Sequence, residues 1–349
     1  MSSIGLKIQG KEWEKWEEVS IVRSVDSMAG AFKFKFSDIF KDGLKKSFAF
    51  GDEVIVTIND VAVITGYLEE ISLDNKGQEQ ILVIGGRDKT GVLVDCSFVG
   101  TSTEWKKQKV SSIISQLCTA FGIGITIDSS ATSNTGNIIE TFKATEGDSI
   151  KDMISQLCVD SALMPISLGD GRLTLTQVTE SRKMKDGIQL PGNAQAGLFL
   201  GDDTDRYSQY IVKGIGIGTA DKDLVSFIQP HGSSDDSILK NYRPNVIFSE
   251  TPANMDKCKN RAEWENRYRA GMSRQYIYTM TEWSQSNKKP WDIHSLVAVK
   301  DDVVNLATDL YIREIEYSRI GDKETCELNC VQPSTYTQSG KLVKSEYDS

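Results

Sequence analysis

The pentapeptide "ISQLC" occurs at residues 114–118 and again at 154–158. A thiol repeated in one setting is the raw material of a metal half-site, a redox pair or a nucleophile. Each of those chemistries needs partners. Neither Cys118 nor Cys158 stands in a CxxC pair, and the two histidines, His231 and His294, lie far along the chain. Both cysteines border an apolar helical stripe, and free Cys is among the most buried residue types. The reading is packing, used twice. Cys326 and Cys330 sit four apart in a predicted strand and share one face, but a zinc site needs about four ligands and no second pair is near.

Other groupings fare no better as chemistry. "QPHGSSDDS" gathers His231, Ser233, Ser234, Asp235 and Asp236. Triad members come from separate rigid elements, so this reads as a solvated loop. "KGIGIGTADK" (213–222) fits neither GxGxxG nor the Walker pattern and reads as a glycine-rich strand or bulge. "GDDTDR" (201–206) lacks the twelve-residue EF-hand loop and reads as a turn. No residue is assigned a catalytic, cofactor-binding or metal-ligating role.

The elements that would have to position such groups are mostly strands. "AFKFKFS" alternates Phe32, Phe34 and Phe36 against Lys33 and Lys35, a period of two with one buried face. "EVIVTIND" and "VAVITGYLEEISL" meet at Asn59-Asp60, and Asn75-Lys76-Gly77 supplies the next turn. The period then changes. Val110, Ile113, Ile114, Leu117 and Phe121 share a helical face, as do Ile150, Met153, Ile154, Leu157 and Cys158. Ser149 and Asp152 have capping-box-like spacing. A short β segment follows each helix, the second turning at Gly169-Asp170-Gly171. Strand patterning resumes near residue 186. It is interrupted by a loop-like stretch and by a helix expected to start at Thr251-Pro252.

That helix carries six basic residues (Lys257, Lys259, Arg261, Arg267, Arg269, Arg274) against three acidic ones. A solvated face is the plain reading. Trp264, Arg267 and Tyr268 are types enriched at interface centres, which makes them the candidate subunit contact.

A longer repeat organises the chain. "YLEEISLDNKGQEQILVIGG" (67–86) aligns without gaps on "YIREIEYSRIGDKETCELNC" (311–330). Tyr67 falls on Tyr311, Glu70 on Glu314, Ile71 on Ile315 and Gly77 on Gly321, with Leu82 and Ile84 over Cys326 and Leu328. Upstream, "EVIVTIND" sits over "LVAVKDD" once one residue is skipped. Two related β domains flanking an α/β middle follow. The expected domains are 1–97, a small antiparallel barrel or sandwich; 98–185, α/β with a duplicated helix–strand unit; and 186–220 with 276–335, a second β domain. An insertion with a helix fills 221–275, and 336–349 is a tail.

Composition excludes several classes. At 349 residues, two or three domains are the prior. The net charge of −9 argues against a dedicated nucleic-acid binder, because affinity for phosphate comes mostly from Lys and Arg. "MSSIGLKIQGKEWEKWEE" has neither a basic n-region nor an apolar h-region, so no secretory leader is expected. No apolar run approaches the roughly 18–20 residues of a membrane span. Six cysteines in such a chain read as reduced thiols.

With these parts in place, "GYLEEISLDNKGQEQILVIGGRDKTGVLVDCS" (66–97) resembles the baseplate hub proteins of Mu-like contractile-tailed bacteriophages. Their "GRdkTgdLVDCS" signature is matched by Gly86, Arg87, Asp88, Lys89, Thr90, Leu93, Val94, Asp95, Cys96 and Ser97. "WEEVSIVRSVDSMAGAFKFKFSD", "NRAEWENRYRAG" and "KKPWDIHSLVAV" are similar to the family's opening strands, its helix and a later segment. In the last, "DIH" replaces the usual Pro-Asn.

The resemblance implies an α+β, mainly β fold: two tail-tube-like antiparallel barrels flanking the α/β middle, with a partly helical insertion in the second barrel. It implies a structural, non-enzymatic homotrimer without cofactors. Two related barrels per subunit give a threefold object six similar positions, which adapts a sixfold tail tube to a threefold central spike. The implied partners are the spike, the tail tube or tube-initiator protein and the tape measure protein. DNA only passes through the bore and there is no membrane insertion. The expected place is the virion tail baseplate, assembled in the host cytoplasm. The signature residues 86–97 would fix the joint between first barrel and middle domain, or contact a partner. Two alternatives stand beside this. A type VI secretion spike would continue into an OB domain and a long β-helix, and this chain ends soon after its second barrel. A tail-associated cell-wall hydrolase would need an acid/base carboxylate pair in a cleft.

Overall fold

The computed structural model describes residues 2–37, 49–76, 79–100, 103–144, 147–179, 181–215, 230–252 and 254–337. The predicted turn residue Gly77, most of the glycine-rich stretch and the tail from 338 on lie outside them. The chain is mainly β. It divides into two compact units, Met1–Leu198 with Ile277–Cys330, and Phe199–Tyr276 with Val331–Ser349.

The first unit is built on a 13-stranded sheet. Period-two patterning made the strands: Phe32, Phe34 and Phe36 are buried within Ala31–Ser37, as are Val54, Val56 and Ile58 within Glu53–Ile58. Both members of the predicted repeat are hairpins. Val61–Lys76 pairs with Glu79–Asp88, and Leu306–Ile320 is followed by Lys323–Val331. At the offset that places Tyr67 over Tyr311, Lys76 falls on Ile320 and Glu79 on Lys323, the residues that bound the two turns. The aligned Leu82, Ile84, Cys326 and Leu328 are all buried.

The duplication extends beyond the hairpins. In the first half the strands run Glu18–Ser24, Ala31–Ser37, Glu79–Asp88, Val61–Lys76, Glu53–Ile58, Ile4–Ile8. In the second they run Ala194–Gly201, Arg274–Met280, Lys323–Val331, Leu306–Ile320, Ser295–Asp301, Ile188–Leu190. Position for position, the orders are the same. One departure is that Ile188–Leu190 pairs parallel with Ser295–Asp301, where Ile4–Ile8 pairs antiparallel with Glu53–Ile58.

Two separate barrels were expected, and here the structure differs. Among the described residues neither set of ladders closes on itself. Closure would require each half to pair its own outer strands. Instead Glu18–Ser24 pairs with residues 314–320 of the second half, and the halves form one continuous sheet.

The middle region follows its helical periods. Helices Val110–Thr119 and Ile150–Asp160 bury Val110, Ile113, Ile114 and Leu117 against Ile150, Met153, Ile154 and Leu157. Full burial of such side chains stabilises by about 1.5–3 kcal/mol each. The second helix starts as predicted: the Ser149 side chain accepts from Asp152 N at 3.0 Å. Ile125–Ile127, Met164–Ser167 and Leu173–Thr176 form a small mixed sheet. The ladder between Glu104–Lys109 and Ile138–Lys143 was not foreseen, because "EWKKQK" is too polar to read as a strand.

The second unit holds the sheet His231–Asp235, Gln209–Ile215, Pro244–Pro252 and the helix Met255–Met272. Tyr210, Val212, Cys258 and Ala262 form its small core. The helix start predicted at Thr251-Pro252 moves to Asn254, whose side chain accepts from Lys257 N at 2.9 Å. Pro252 instead ends an outer strand of the sheet, where a missing N–H is tolerated. "HGSSD", read as loop, is a strand; its register with Gln209–Ile215 overrides a polar composition.

Candidate functional site

The groups first weighed for chemistry are dispersed and structurally engaged. Cys118 and Cys158 lie in the core between the two middle helices. Burial pushes the Cys118 thiol up to about 12 and raises Cys158 as well. Cys326 and Cys330 are fully buried and raised by the same cause. In the second unit, Asp236 forms a buried pair with Arg206 at 2.7 Å. Asn266 Nδ2 donates to Ser234 Oγ and to Asp235 O, each at 3.0 Å. Asp202 Oδ1 accepts from Thr204 N at 2.8 Å, the turn predicted for "GDDTDR". Among the described residues no cluster of His, Cys, Asp and Glu is arranged to hold a metal ion, and no helix is long and apolar enough to cross a membrane.

The signature residues, by contrast, are assembled in one place. Gly86 stands where a Cβ would lie 1.9 Å from Tyr67 O, and Gly66 where one would lie 1.8 Å from Arg87 O, so the hairpin closes only on glycine. Arg87 Nε donates to Glu69 Oε2 at 2.7 Å, and Arg87 Nη1 to Asp95 Oδ1 at 3.2 Å. Hydrogen bonding to Arg87 holds the Asp95 carboxyl below the usual carboxylate range. Asp88 is buried and accepts from Gly30 N at 2.9 Å and Thr65 N at 3.1 Å. Burial raises its carboxyl despite those donors. Lys89 pairs with Glu53 and lies over the Tyr67 ring.

From there the chain enters the helix Gly91–Asp95. Thr90 is buried at its N-cap, its O accepting from Leu93 N at 3.0 Å. Leu93 is buried in the middle-region core. Cys96 O then accepts from Ile150 N at 2.9 Å, at the start of helix Ile150–Asp160. The turn at Gly169 reaches the same place: Thr65 Oγ1 donates to Gly169 O at 2.7 Å. Gly86 through Cys96 therefore run from the first-half hairpin into the middle region.

Trp264, Arg267 and Tyr268 occupy successive turns of the second unit's helix. The Trp264 and Tyr268 rings stack at 4.9 Å, and Tyr336 meets Tyr268 edge-on. Arg267 is buried, its Nε donating to Thr337 O at 2.9 Å. Burial lowers its pKa. The basic surplus of this helix is partly spent within it: Glu265 accepts from Arg261 at 2.7 Å and from Arg269 at 3.1 Å.

One cluster escaped the sequence reading. Arg23, 2% exposed, pairs with Asp292 at 2.6 Å, and Arg182 pairs with the other Asp292 oxygen at 2.8 Å. Close by in sequence, His294 is buried between Thr176 Oγ1 at 2.9 Å and Tyr311 OH at 2.8 Å. A signal for Arg23 existed: it continues the inward alternation of Val19 and Ile21. Its partner, 269 residues away, left none.

The duplicated sheet, the α/β middle region and the glycine-closed joint between them place the chain among structural rather than site-bearing folds, and its likeness is to phage tail proteins. Residues 3–88 match the N-terminal domain of the Mu phage baseplate assembly protein GpP-like family. Residues 90–177 match the second domain of the gp44-like baseplate hub family, and 254–339 the fourth domain of the GpP family. The baseplate hub protein gp44 of Escherichia phage Mu is 24% identical over 85% of this chain and 79% of its own length. The 43 kDa tail protein of prophage MuSo2 from Shewanella oneidensis superposes with a TM-score of 0.85 at 25% identity, covering 96% of this chain and 99% of that one. A type VI secretion component from E. coli, described as similar to the T4 tail proteins gp27 and gp5, shares the fold at TM-score 0.57 and 10% identity over 97% and 79% of the two chains. Over most of its length the chain therefore resembles the baseplate hub and tail structural proteins of Mu-like phages.

Proposed function

We propose that this hub acts as a homotrimer that adapts a sixfold tail tube to a threefold central spike, each half of the sheet serving as one tube-like module. The observation that carries the reading is the duplicated strand order of the two halves. Two similar modules per chain give three chains six similar positions on one face, while the remainder of each chain keeps threefold symmetry for the spike. The signature residues Gly86 to Cys96 hold the first module to the middle region, so that load on one is passed to the other. Trp264 and Tyr268 present half-buried aromatic surface for a subunit contact. The tape measure protein and the tube-initiator protein would meet the sixfold face.

The acidic balance suits a conduit for DNA. A bore lined with Lys and Arg would hold phosphate, whereas an acidic or neutral one lets it slide. Replacing bore-facing acids by Lys should therefore slow ejection, and unchanged ejection would count against a conduit.

The reading is tested by the mass of the purified chain in solution, followed by electron microscopy after adding the spike or tube protein. A trimer that accepts the spike on one face and six tube subunits on the other is the expected result. A chain that stays monomeric with both partners present would refute it.

A further inference from the structure

The middle region meets the second half of the sheet at a histidine. Thr176 ends the strand Leu173–Thr176, and its Oγ1 lies 2.9 Å from His294 Nε2. On the other side of the ring, Tyr311 OH lies 2.8 Å from Nδ1. Thr176 belongs to the small sheet of the middle region, and Tyr311 to Leu306–Ile320 of the 13-stranded sheet. The histidine is 2% exposed. Its φ is 58°, in the left-handed region that a residue with a Cβ enters only at a cost, so its surroundings hold it there.

A neutral imidazole suits this place and a charged one does not. Neutral, it donates from one nitrogen and accepts at the other, which two hydroxyls can satisfy. Charged, it needs an anion or water beside it. The acids that face it, Asp292 and Asp128, are already engaged. Arg23 and Arg182 share the Asp292 carboxylate, and Asp128 accepts from Ser130 N at 2.9 Å and from Ser130 Oγ at 2.8 Å. Burial raises the Tyr311 hydroxyl, which therefore stays protonated. Burial, and after it the Arg182 guanidinium, keep the folded imidazole neutral down to about 4. The attachment of the middle region to the first half is of another kind. It runs through the chain itself, residues 86–96, and through Thr65 Oγ1 donating to Gly169 O, a bond with no titrating group.

We infer that His294 is an acid-released latch: when the ring takes up a proton, the seam between Leu173–Thr176 and the second half opens, and the middle region stays attached to the first half through residues 86–96. At neutral pH the middle region is held at both places. In acid it is held at one, and the joint at residues 86–96 becomes a hinge.

The test is amide hydrogen exchange of the full chain at pH 7 and pH 4.5, read by mass spectrometry and corrected for intrinsic rates. The closed imidazole titrates near 4 and the open one near 6.5, so opening should become about 50-fold more frequent at the lower pH. The reporters are His294 N, which donates to Ile312 O, and two amides beside it, Leu296 N on Arg182 O and Met184 N on Leu296 O. Their protection should fall by about that factor, while the hairpin of Val61–Lys76 and Glu79–Asp88 keeps its own. His294→Asn does not titrate and its side chain suits a left-handed backbone, so its seam should show no such loss. His294→Gln serves if that chain fails to fold. Equal loss at the seam and the hairpin would mean that the whole unit unfolds, and would overturn the latch. So would a seam that keeps its protection at pH 4.5, or one that opens to the same extent in the His294 variants.

Discussion

Arg23 and Asp292 meet at 2.6 Å across 269 residues of chain, joining a first-half strand to the segment that leads into Ser295–Asp301. The Arg23 side chain is almost wholly buried, and Arg182 shares the same carboxylate. Removing one member of a buried pair leaves the other charge uncompensated.

Asp292→Asn should therefore destabilise the first unit by about 3 kcal/mol, near the lower end for such pairs because Asp292 is partly exposed. Adding Arg23→Met should recover part of that loss. Urea denaturation of the two variants checks it, and an additive double variant would show that the pair is not coupled.

His294 gives the protein a pH signature. Burial, and after it the Arg182 guanidinium, lowers its pKa from 6.5 to about 4. Between those values the unfolded imidazole holds a proton that the folded one does not, so stability falls as pH drops through that window. The loss from this group approaches about 3 kcal/mol by pH 4. Comparing stability at pH 7 and pH 4.5 in the parent and His294→Gln reads the slope. The variant should be less stable at pH 7 and show a flatter decline.

Gly86→Ala should cost more than any ordinary surface change. The new Cβ would lie 1.9 Å from Tyr67 O, so one strand of the hairpin must shift. A loss of about 2–4 kcal/mol is expected, in the range of backbone-incompatible substitutions. Gly85→Ala is a useful partner, since there the nearest atoms are at 3.1 and 3.2 Å. A smaller loss at Gly86 than at Gly85 would contradict the close approach.

The thiols should behave as packing groups. Cys96 is partly exposed and the remaining five cysteines are buried. Native titration with a disulfide reagent should find one reactive thiol per chain at most, and six after denaturation. Rapid reaction of Cys118 or Cys158 in the folded protein would reopen the redox reading.

Helix capping can be checked separately. Ser149→Ala removes the acceptor of Asp152 N and should cost about 1 kcal/mol, measured by thermal melting.

Much of the fold was legible because it is written in short periods. Phe32, Phe34 and Phe36 declare a strand, and Ile150, Met153, Ile154 and Leu157 declare a helical face, whatever surrounds them. The hairpin repeat was legible too, since Tyr67 over Tyr311 preserves both register and turn. What escaped were segments whose state depends on a neighbour. "HGSSD" and "EWKKQK" are strands only because partners supply their hydrogen bonds. Arg267 read as an interface residue, yet its side chain is buried and bonded to Thr337 O, a contact that no local pattern encodes.

The sequence by itself determined the local elements, the duplicated hairpin and the signature from Gly86 to Cys96, because side-chain period, turn residues and glycine placement act over a few residues. Only the tertiary structure decided that the halves share one sheet, that Arg23 finds Asp292, and that Leu73 and Leu198 are left exposed. Those outcomes depend on backbone pairing between distant strands, and a backbone hydrogen bond leaves no mark in residue type.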